Sequence, residues 1–540
     1  MGCRVNNDLL HVPYAARRVP LIAGNGVVAT SHPLASQAGL AMLQAGGTAV
    51  DAALAAAACL TVLEPTSNGL GGDGFALIWD GAKLHGINGS GRAPAALSVE
   101  ALGRAGHGTM PTFGWLPVTV PGVVQLWGDM HSRFGALPLA QVLGPALAYA
   151  EQGAPVAAMV SHFWAKGVAA AHDRVSPEFA GFLKTFALDG RAPRAGERFR
   201  SLGHARTLRM LAEVGPRAFY EGEIAEAIAR FSQATGGLLT ADDLAAHRSE
   251  WVEPLTMEYG GYTVAEIPPN GQGIAALLAL GILDGVDLAR HPRDSAASFH
   301  LQIEAMKLAF ADIFAYVGDP AMAEVPVAAM LDRERLAARR SLIGDQAQDF
   351  GPGELPQGGT VYFCAADREG RMVSMIQSTY MGFGSGVVVP DWGIALHNRG
   401  CGFVTTPGHP NMLVPGKRPF HTIIPGFLLK DGQGIGPFGV MGAHMQPQGH
   451  AQVIVNSLTY GMHPQAALDA PRWRWERDGS VRVELETPRH VIEGLMARGH
   501  QVIAEAEVGG FGRGQIIWRR DSGEYVAGTE TRCDGVAVGW

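Results

Sequence analysis

Gly358-Gly-Thr-Val-Tyr-Phe-Cys364 is the stretch whose reading decides the fold. It follows Asp349-Phe-Gly-Pro-Gly-Glu-Leu-Pro-Gln357, a run of chain breakers and polar groups, and its β-branched and aromatic residues favour a strand. One reading makes Thr360 simply the first residue of that strand. The other has the chain cut before Thr360, so that a new amino terminus appears at a rigid edge. A hydroxyl is a weak nucleophile without a base, and a chain-terminal residue carries its own base, because an α-amine titrates at about pH 8 and is partly uncharged at neutrality. Glycine at Gly359 tolerates the backbone geometry in which the Thr360 hydroxyl reaches the preceding carbonyl.

Outward from this point the pattern is of strands downstream and helices upstream. Gln346 to Gly359 reads as a linker. Val361 to Ala366 and Met372 to Ser378 make a hairpin, and Phe420 to Leu429 with Lys430-Asp-Gly432 opens another. Helices are expected at Gly449 to Tyr460 and Val491 to Arg498, and strands at Gln515 to Arg519 and Glu524 to Gly528. Upstream, Leu34 to Leu43 and Ala49 to Leu63 read as a helix pair broken by Gly46-Gly47, and Phe75 to Trp79 with Leu84 to Ile87 as a hairpin. Pro121 to Leu342 reads as mostly helical, interrupted at Pro268 to Gly273. Hairpin-linked strands with helices before and between them predict an α+β chain of antiparallel sheets covered by helices.

Composition narrows the function classes. The chain has 540 residues, 47% of them hydrophobic, which suits one large globular body. A net charge of -8, from 42 basic and 50 acidic residues without a basic run, argues against nucleic acid. Five scattered cysteines (Cys3, Cys59, Cys364, Cys401, Cys533) form no C-x-x-C and suggest a reducing compartment. The first residues lack an apolar signal core, Asn6 misses a myristoylation pattern, and Ala49 to Leu63 is too short to span a bilayer. The expectation is a cytoplasmic protein without a membrane partner.

Three motifs invite other chemistries. Gly69-Leu-Gly-Gly-Asp-Gly74 matches G-x-G-x-x-G, but a helix precedes it and a strand follows, the reverse of a dinucleotide site. A glycine turn under a close backbone is the better reading. His444 and His450 lie six apart around a proline, unlike the helical pair of a zinc protease, so no metal is expected there. Neither Ser90 nor Ser385 fits the G-x-S-x-G elbow of a serine hydrolase.

With Thr360 in view, nearly the whole chain resembles the γ-glutamyltransferase family of N-terminal nucleophile hydrolases. The resemblance rests on ordered stretches: Ser31-His-Pro-Leu-Ala-Ser36, Ala45-Gly-Gly-Thr-Ala-Val-Asp-Ala52, Glu64 to Gly74, Thr240 in Gly-Gly-Leu-Leu-Thr-Ala-Asp-Asp-Leu, Pro268-Pro-Asn-Gly-Gln-Gly273, Tyr316-Val-Gly-Asp-Pro320 and Ala466-Ala-Leu-Asp-Ala-Pro-Arg472. It implies a four-layer αββα sandwich and self-cleavage between Gly359 and Thr360. Residues 1–359 and 360–540 would then form a large and a small fragment of one body, with a homodimer of such pairs as a further option. It also implies amide cleavage through an acyl-enzyme on Thr360, without metal or organic cofactor.

Carried across by position, the resemblance makes Ser378 the hydroxyl that orients the nucleophile, and the backbone N–H groups of Met445 and Gln446 the oxyanion donors. The substrate pocket departs from glutathione-cleaving members. Ser90 stands where they have the arginine for the α-carboxylate, with Arg92 two residues on. Gly402 replaces the aspartate that holds an α-ammonium, Tyr380 an asparagine, Arg399 a glutamine, and His421 and Thr422 a pair of serines. Losing an aspartate and gaining an arginine should favour an anionic acyl group without an ammonium. Arg92, Arg399 and His421 are the expected carboxylate binders, with Tyr380 limiting the size of the acyl group. A small carboxylate-bearing amide, as in oxamate amidohydrolases, is the leading substrate class. A γ-glutamyl substrate, a glutaryl group as in cephalosporin acylases, and an unprocessed, non-catalytic binding protein are the alternatives.

Overall fold

Strand Gly359–Ala366 alternates in a way that organises the molecule. Val361, Phe363 and Ala365 join a cluster with helix residues, whereas Tyr362, Cys364 and Ala366 join a cluster made by two facing sheets. A strand buried on both faces lies inside a stack of layers, because successive side chains point to opposite faces. A computed structural model describes this architecture for residues 18–350, 359–506 and 509–540. Cys3, Asn6 and residues 351–358 of the expected linker lie outside the described residues.

Two seven-stranded sheets form the middle layers. The first runs Val536–Gly539, Val27–Thr30, Gly359–Ala366, Met372–Tyr380, Asp73–Trp79, Leu84–Asn88, Glu250–Val252, with antiparallel neighbours. The second runs Leu21–Ala23, Tyr525–Thr529, Arg513–Arg519, Gln433–Met441, Gly426–Lys430, Tyr262–Glu266, Leu255–Tyr259, again antiparallel. Phe75, Leu77, Ile376 and Tyr362 of one sheet meet Phe427, Met441 and Ile517 of the other between them.

Helices cover both outer faces. On the first sheet lie Pro33–Gln44 and Ala49–Leu63, and on the second Gly273–Leu283, Ala296–Tyr316 and Met445–Ile454. Ala49–Leu63 is buried all round, so alanine serves where neighbours must come close. Its start is fixed by a capping box: Asp51 N–H donates to Thr48 Oγ1 (3.3 Å) and Thr48 N–H to Asp51 Oδ2 (2.8 Å). The Gly-Gly-Thr-Ala-Val-Asp stretch is thus a helix start. This is the expected α+β, four-layer arrangement.

Three expectations need correction. The segment read as mostly helical contains strands Glu250–Val252, Leu255–Tyr259 and Tyr262–Glu266. The last two meet at Gly260-Gly261, both at positive φ (58° and 78°), which is a two-residue hairpin turn. Glu250 and Glu258 gave these strands a polar look because they sit at sheet edges. The strand expected from Phe420 begins only at Gly426, after Pro425, and the backbone before it serves the candidate site instead. The helix expected from Gly449 starts at Met445, since Pro447 in a first turn loses no helical hydrogen bond, and ends at Ile454 in a π-type turn over Val455–Thr459.

Arg472, the last residue of the Ala-Leu-Asp-Ala-Pro-Arg stretch, is buried with Glu530. Its Nη2 donates to Glu530 Oε2 (2.8 Å), and Arg532 Nη1 donates to Oε1 (2.6 Å). Burial works to raise the Glu530 pKa, and the two guanidinium charges outweigh it, leaving the carboxyl below its usual range. Glu530→Gln should therefore cost about 3 kcal/mol, because it leaves the buried Arg472 cation without its carboxylate, whereas Arg532 keeps Glu484. The urea midpoint of unfolding reads this loss.

Candidate active site

Thr360 is fully buried at the head of its strand. Gly359 pairs with Tyr380 but Val361 with Gln377, so Ser378 and Thr379 together oppose Thr360 in a β-bulge. Such a bulge re-aims a side chain. Here Ser378 Oγ lies 3.1 Å from Thr360 Oγ1, within hydrogen-bond distance, and accepts the Tyr380 N–H at 2.8 Å. Tyr380 closes the bulge at φ 77°, a conformation costly for a bulky side chain.

The glycine turn lies directly beneath. A Cβ on Gly72 would fall 2.4 Å from Ser378 O, and one on Gly71 2.2 Å from Ala395 O. The glycines admit neighbouring backbone, as the context of the motif indicated. Asp73, next in line, is the cross-strand partner of Ser378. It is buried and accepts from Gly91 N–H and Gly122 N–H (both 3.2 Å) and from His421 Nε2 (3.1 Å), with His397 Nδ1 at 3.6 Å. Burial opposes its ionisation, but His397, His421 and Arg399 outweigh that and hold the carboxyl below its usual range.

Arg399 is 1% exposed. Its guanidinium carbon sits 3.8 Å from the Tyr380 ring centre, and Nη1 donates to Thr422 Oγ1 at 2.6 Å. Nε and Nη2 are buried without a hydrogen-bond partner among the described residues. Burial pushes its pKa down to about 10, so it stays cationic at neutrality. His421 differs: burial, with the Arg399 charge nearby, pushes it down to about 3. Its Nδ1 accepts from Ile423 N–H (3.3 Å), so the proton is on Nε2 and points at Asp73. His421 is therefore a neutral, oriented wall beside the one buried arginine of this group.

Met445 and Gln446 open helix Met445–Ile454, and their N–H groups close onto Gly442 O (2.9 Å) and Ala443 O (3.2 Å). Gln446 Oε1 accepts from Ile424 N–H (3.0 Å). Gln272 Nε2 donates to Thr422 O (2.6 Å) and Ala443 O (2.8 Å), tying this turn to the Arg399 side of the site. A cleft of about 700 Å³ runs past Met381, Ala443, His444 and Met445, so the turn borders open space. Thr360, Ser378, Tyr380, Arg399, His421, Thr422, Met445 and Gln446 thus form one connected group. Arg92 lies apart from it, over a third exposed and donating to Glu250 Oε1 (3.0 Å), Asp319 Oδ2 (3.4 Å) and Gly416 O (3.2 Å).

The sequence reading missed Asp73, His397 and Gln272, and also Asn270, whose backbone carbonyl accepts from His421 N–H at 2.8 Å. Asp73 sits inside the glycine motif, and Asn270 and Gln272 inside Pro-Pro-Asn-Gly-Gln-Gly, so a signal was present without a partner to give it meaning.

The gamma-glutamyltranspeptidase family model matches residues 35–540. A glutathione hydrolase-like proenzyme of Bacillus subtilis is 38% identical over 96% of this chain and 99% of its own length. An oxamate amidohydrolase proenzyme of Klebsiella pneumoniae is 37% identical over 96% and 99%. The crystal structure of a cephalosporin acylase from Bacillus halodurans superposes with a TM-score of 0.96 at 51% identity, covering 99% of both chains. With its two stacked antiparallel sheets between helices, the chain belongs to the gamma-glutamyltranspeptidase family and is an amide hydrolase of the N-terminal nucleophile fold.

Proposed function

We propose that this chain cuts itself between Gly359 and Thr360 and then hydrolyses an amide whose small acyl group carries a carboxylate. The observation that carries the substrate class is Arg399: a buried cation stacked on Tyr380, with two N–H-bearing nitrogens unused and no aspartate beside it at Gly402. A carboxylate satisfies both its charge and its donors. The oxamate amidohydrolase relative points the same way, and the acylase relatives broaden the class to other amides of the kind.

In self-cleavage the Thr360 hydroxyl oxygen attacks the Gly359 carbonyl carbon, the Gly359–Thr360 amide breaks, and an ester forms. Water hydrolyses that ester, leaving a Gly359 carboxylate and a free Thr360 amine. In each later turnover the amine takes the hydroxyl proton while the oxygen adds to the substrate carbonyl. Ser378 fixes the hydroxyl, and the Met445 and Gln446 N–H groups turn from their local carbonyls toward the developing oxyanion. The proton passes to the leaving nitrogen, the C–N bond breaks, and water then releases the acid from the Thr360 ester. Residues 1–359 and 360–540 stay together, because strand Gly359–Ala366 lies between Val27–Thr30 of one fragment and Met372–Tyr380 of its own.

Intact mass under denaturing conditions tests the first step, and a panel of oxamate, glutaryl amides and γ-glutamyl anilides tests the second. Two masses split at Gly359/Thr360 and turnover confined to carboxylate-bearing acyl groups without an ammonium are expected. A single uncut mass with no turnover overturns the proposal. Preference for γ-glutamyl anilides overturns only the pocket assignment.

A further inference from the structure

Away from this site, helix Ala296–Tyr316 carries His300 and Glu304 one turn apart, and the turn before strand Gln501–Glu505 brings His500 onto them. His300 Nδ1 lies 2.8 Å from His500 Nε2, and ligand atoms of all three residues fall within 4.8 Å of one another. His300 Nε2 donates to Gly344 O at 2.8 Å, so its proton is on that nitrogen and the Nδ1 lone pair faces His500. An imidazole fixed by a backbone carbonyl through one nitrogen, with the lone pair of the other turned toward the neighbouring ligand residue, is how metal-binding histidines are held. His500 Nδ1 is buried without a hydrogen-bond partner among the described residues.

We infer that His300, Glu304 and His500 bind one divalent cation of the zinc type. Two imidazoles and a carboxylate suit a borderline ion in tetrahedral geometry, with water as the fourth ligand. At metal–nitrogen distances of about 2.1 Å the two ring nitrogens need to be about 3.4 Å apart, so the rings open by roughly 0.6 Å from their present 2.8 Å. Lys307 Nζ donates to Glu304 Oε1 (2.6 Å) and to Gln348 O (3.0 Å), and Gln348 N–H donates to Glu304 Oε2 (3.1 Å). A carboxylate keeps further lone pairs for a cation, although the ammonium weakens the site. On the proposed cut, His300 and Glu304 belong to one fragment and His500 to the other. The ion therefore joins them where the chain approaches the cut, beside Gly344 and Gln348.

The test uses tag-free, chelator-dialysed full-length protein titrated with Co2+, followed by visible absorption, and melted with and without Zn2+. One equivalent of tetrahedral-type Co2+, displaced by Zn2+, and a higher melting temperature with Zn2+ are expected. His500→Asn and Glu304→Gln should each weaken binding by about tenfold or more. No tetrahedral band and no Zn2+ shift in the unsubstituted protein would leave the cluster as a histidine–histidine hydrogen bond and overturn the inference, whether or not the variants fold. Intact mass on the same sample reports the cut independently, so failure of the metal site and of the processing reading are distinguishable.

Discussion

Thr360→Ala yields one uncut chain with amide hydrolysis reduced to background. The substitution removes the only atom on Thr360 that can attack the Gly359 carbonyl, so no ester forms and no α-amine is released. Both losses follow from one missing oxygen. The fold should survive, because the side chain sits at a strand end and alanine keeps its Cβ; what is lost is a methyl group and one hydrogen bond to Ser378, worth about 1–2 kcal/mol together. Thr360→Ser is the control: it restores the oxygen and should restore both processing and turnover, more slowly, because the less hindered hydroxyl samples more rotamers. Denaturing gels read the cut and a direct amide assay reads turnover. A Thr360→Ala chain that still splits at this bond would remove the nucleophile assignment and with it the base.

The parts of this site that were legible in the sequence are those carried by local pattern. Val361 to Cys364 announces a strand, the breakers before it announce a loop, and the hairpin to Ser378 follows from alternation alone. Strand parity then places Tyr362, Ser374, Ile376 and Ser378 on the inter-sheet face, where Tyr362 Oη meets Ser374 Oγ at 2.9 Å. What alternation could not show is the bulge that sets Ser378 against Thr360, since one extra residue in the pairing leaves no mark in composition. Nor could it show the contact of Asp73 with His421, which are 348 residues apart and meet only when the two sheets stack. Arg399 was named by correspondence with the family pattern, but its burial was invisible: a single arginine in Asn398-Arg-Gly reads equally as a surface loop. The missed strands Leu255–Tyr259 and Tyr262–Glu266 show the opposite failure. A short strand at the sheet edge, Leu255–Tyr259, and its hairpin partner, both bearing glutamates, blend into a helical region.

Arg399→Met should lower kcat/KM for a carboxylate-bearing amide by about 10²–10³-fold while leaving the Gly359–Thr360 cut intact. Removing one member of a desolvated charge pair costs about 2–5 kcal/mol, and each 1.4 kcal/mol is about a factor of ten. Cleavage of the chain uses Thr360 and Gly359 and involves no carboxylate substrate, so processing serves as the internal check that the sheet and the bulge are undisturbed. Methionine fills much of the same volume over the Tyr380 ring, and losing a buried cation with a single side-chain hydrogen bond should not cost stability. Two further measurements separate a carboxylate binder from a mere support for Tyr380. An amide of the same size with an uncharged acyl group should be hydrolysed equally well by both enzymes if Arg399 acts through charge, and equally poorly by the variant if it only braces the ring. Arg399→Lys keeps the charge but loses the planar fork that lies flat on an aromatic face, so it should recover part of the lost activity on the charged substrate and none of the geometry. A variant in which charged and neutral amides fall together would reassign Arg399 to the scaffold and leave the acyl pocket without its cation.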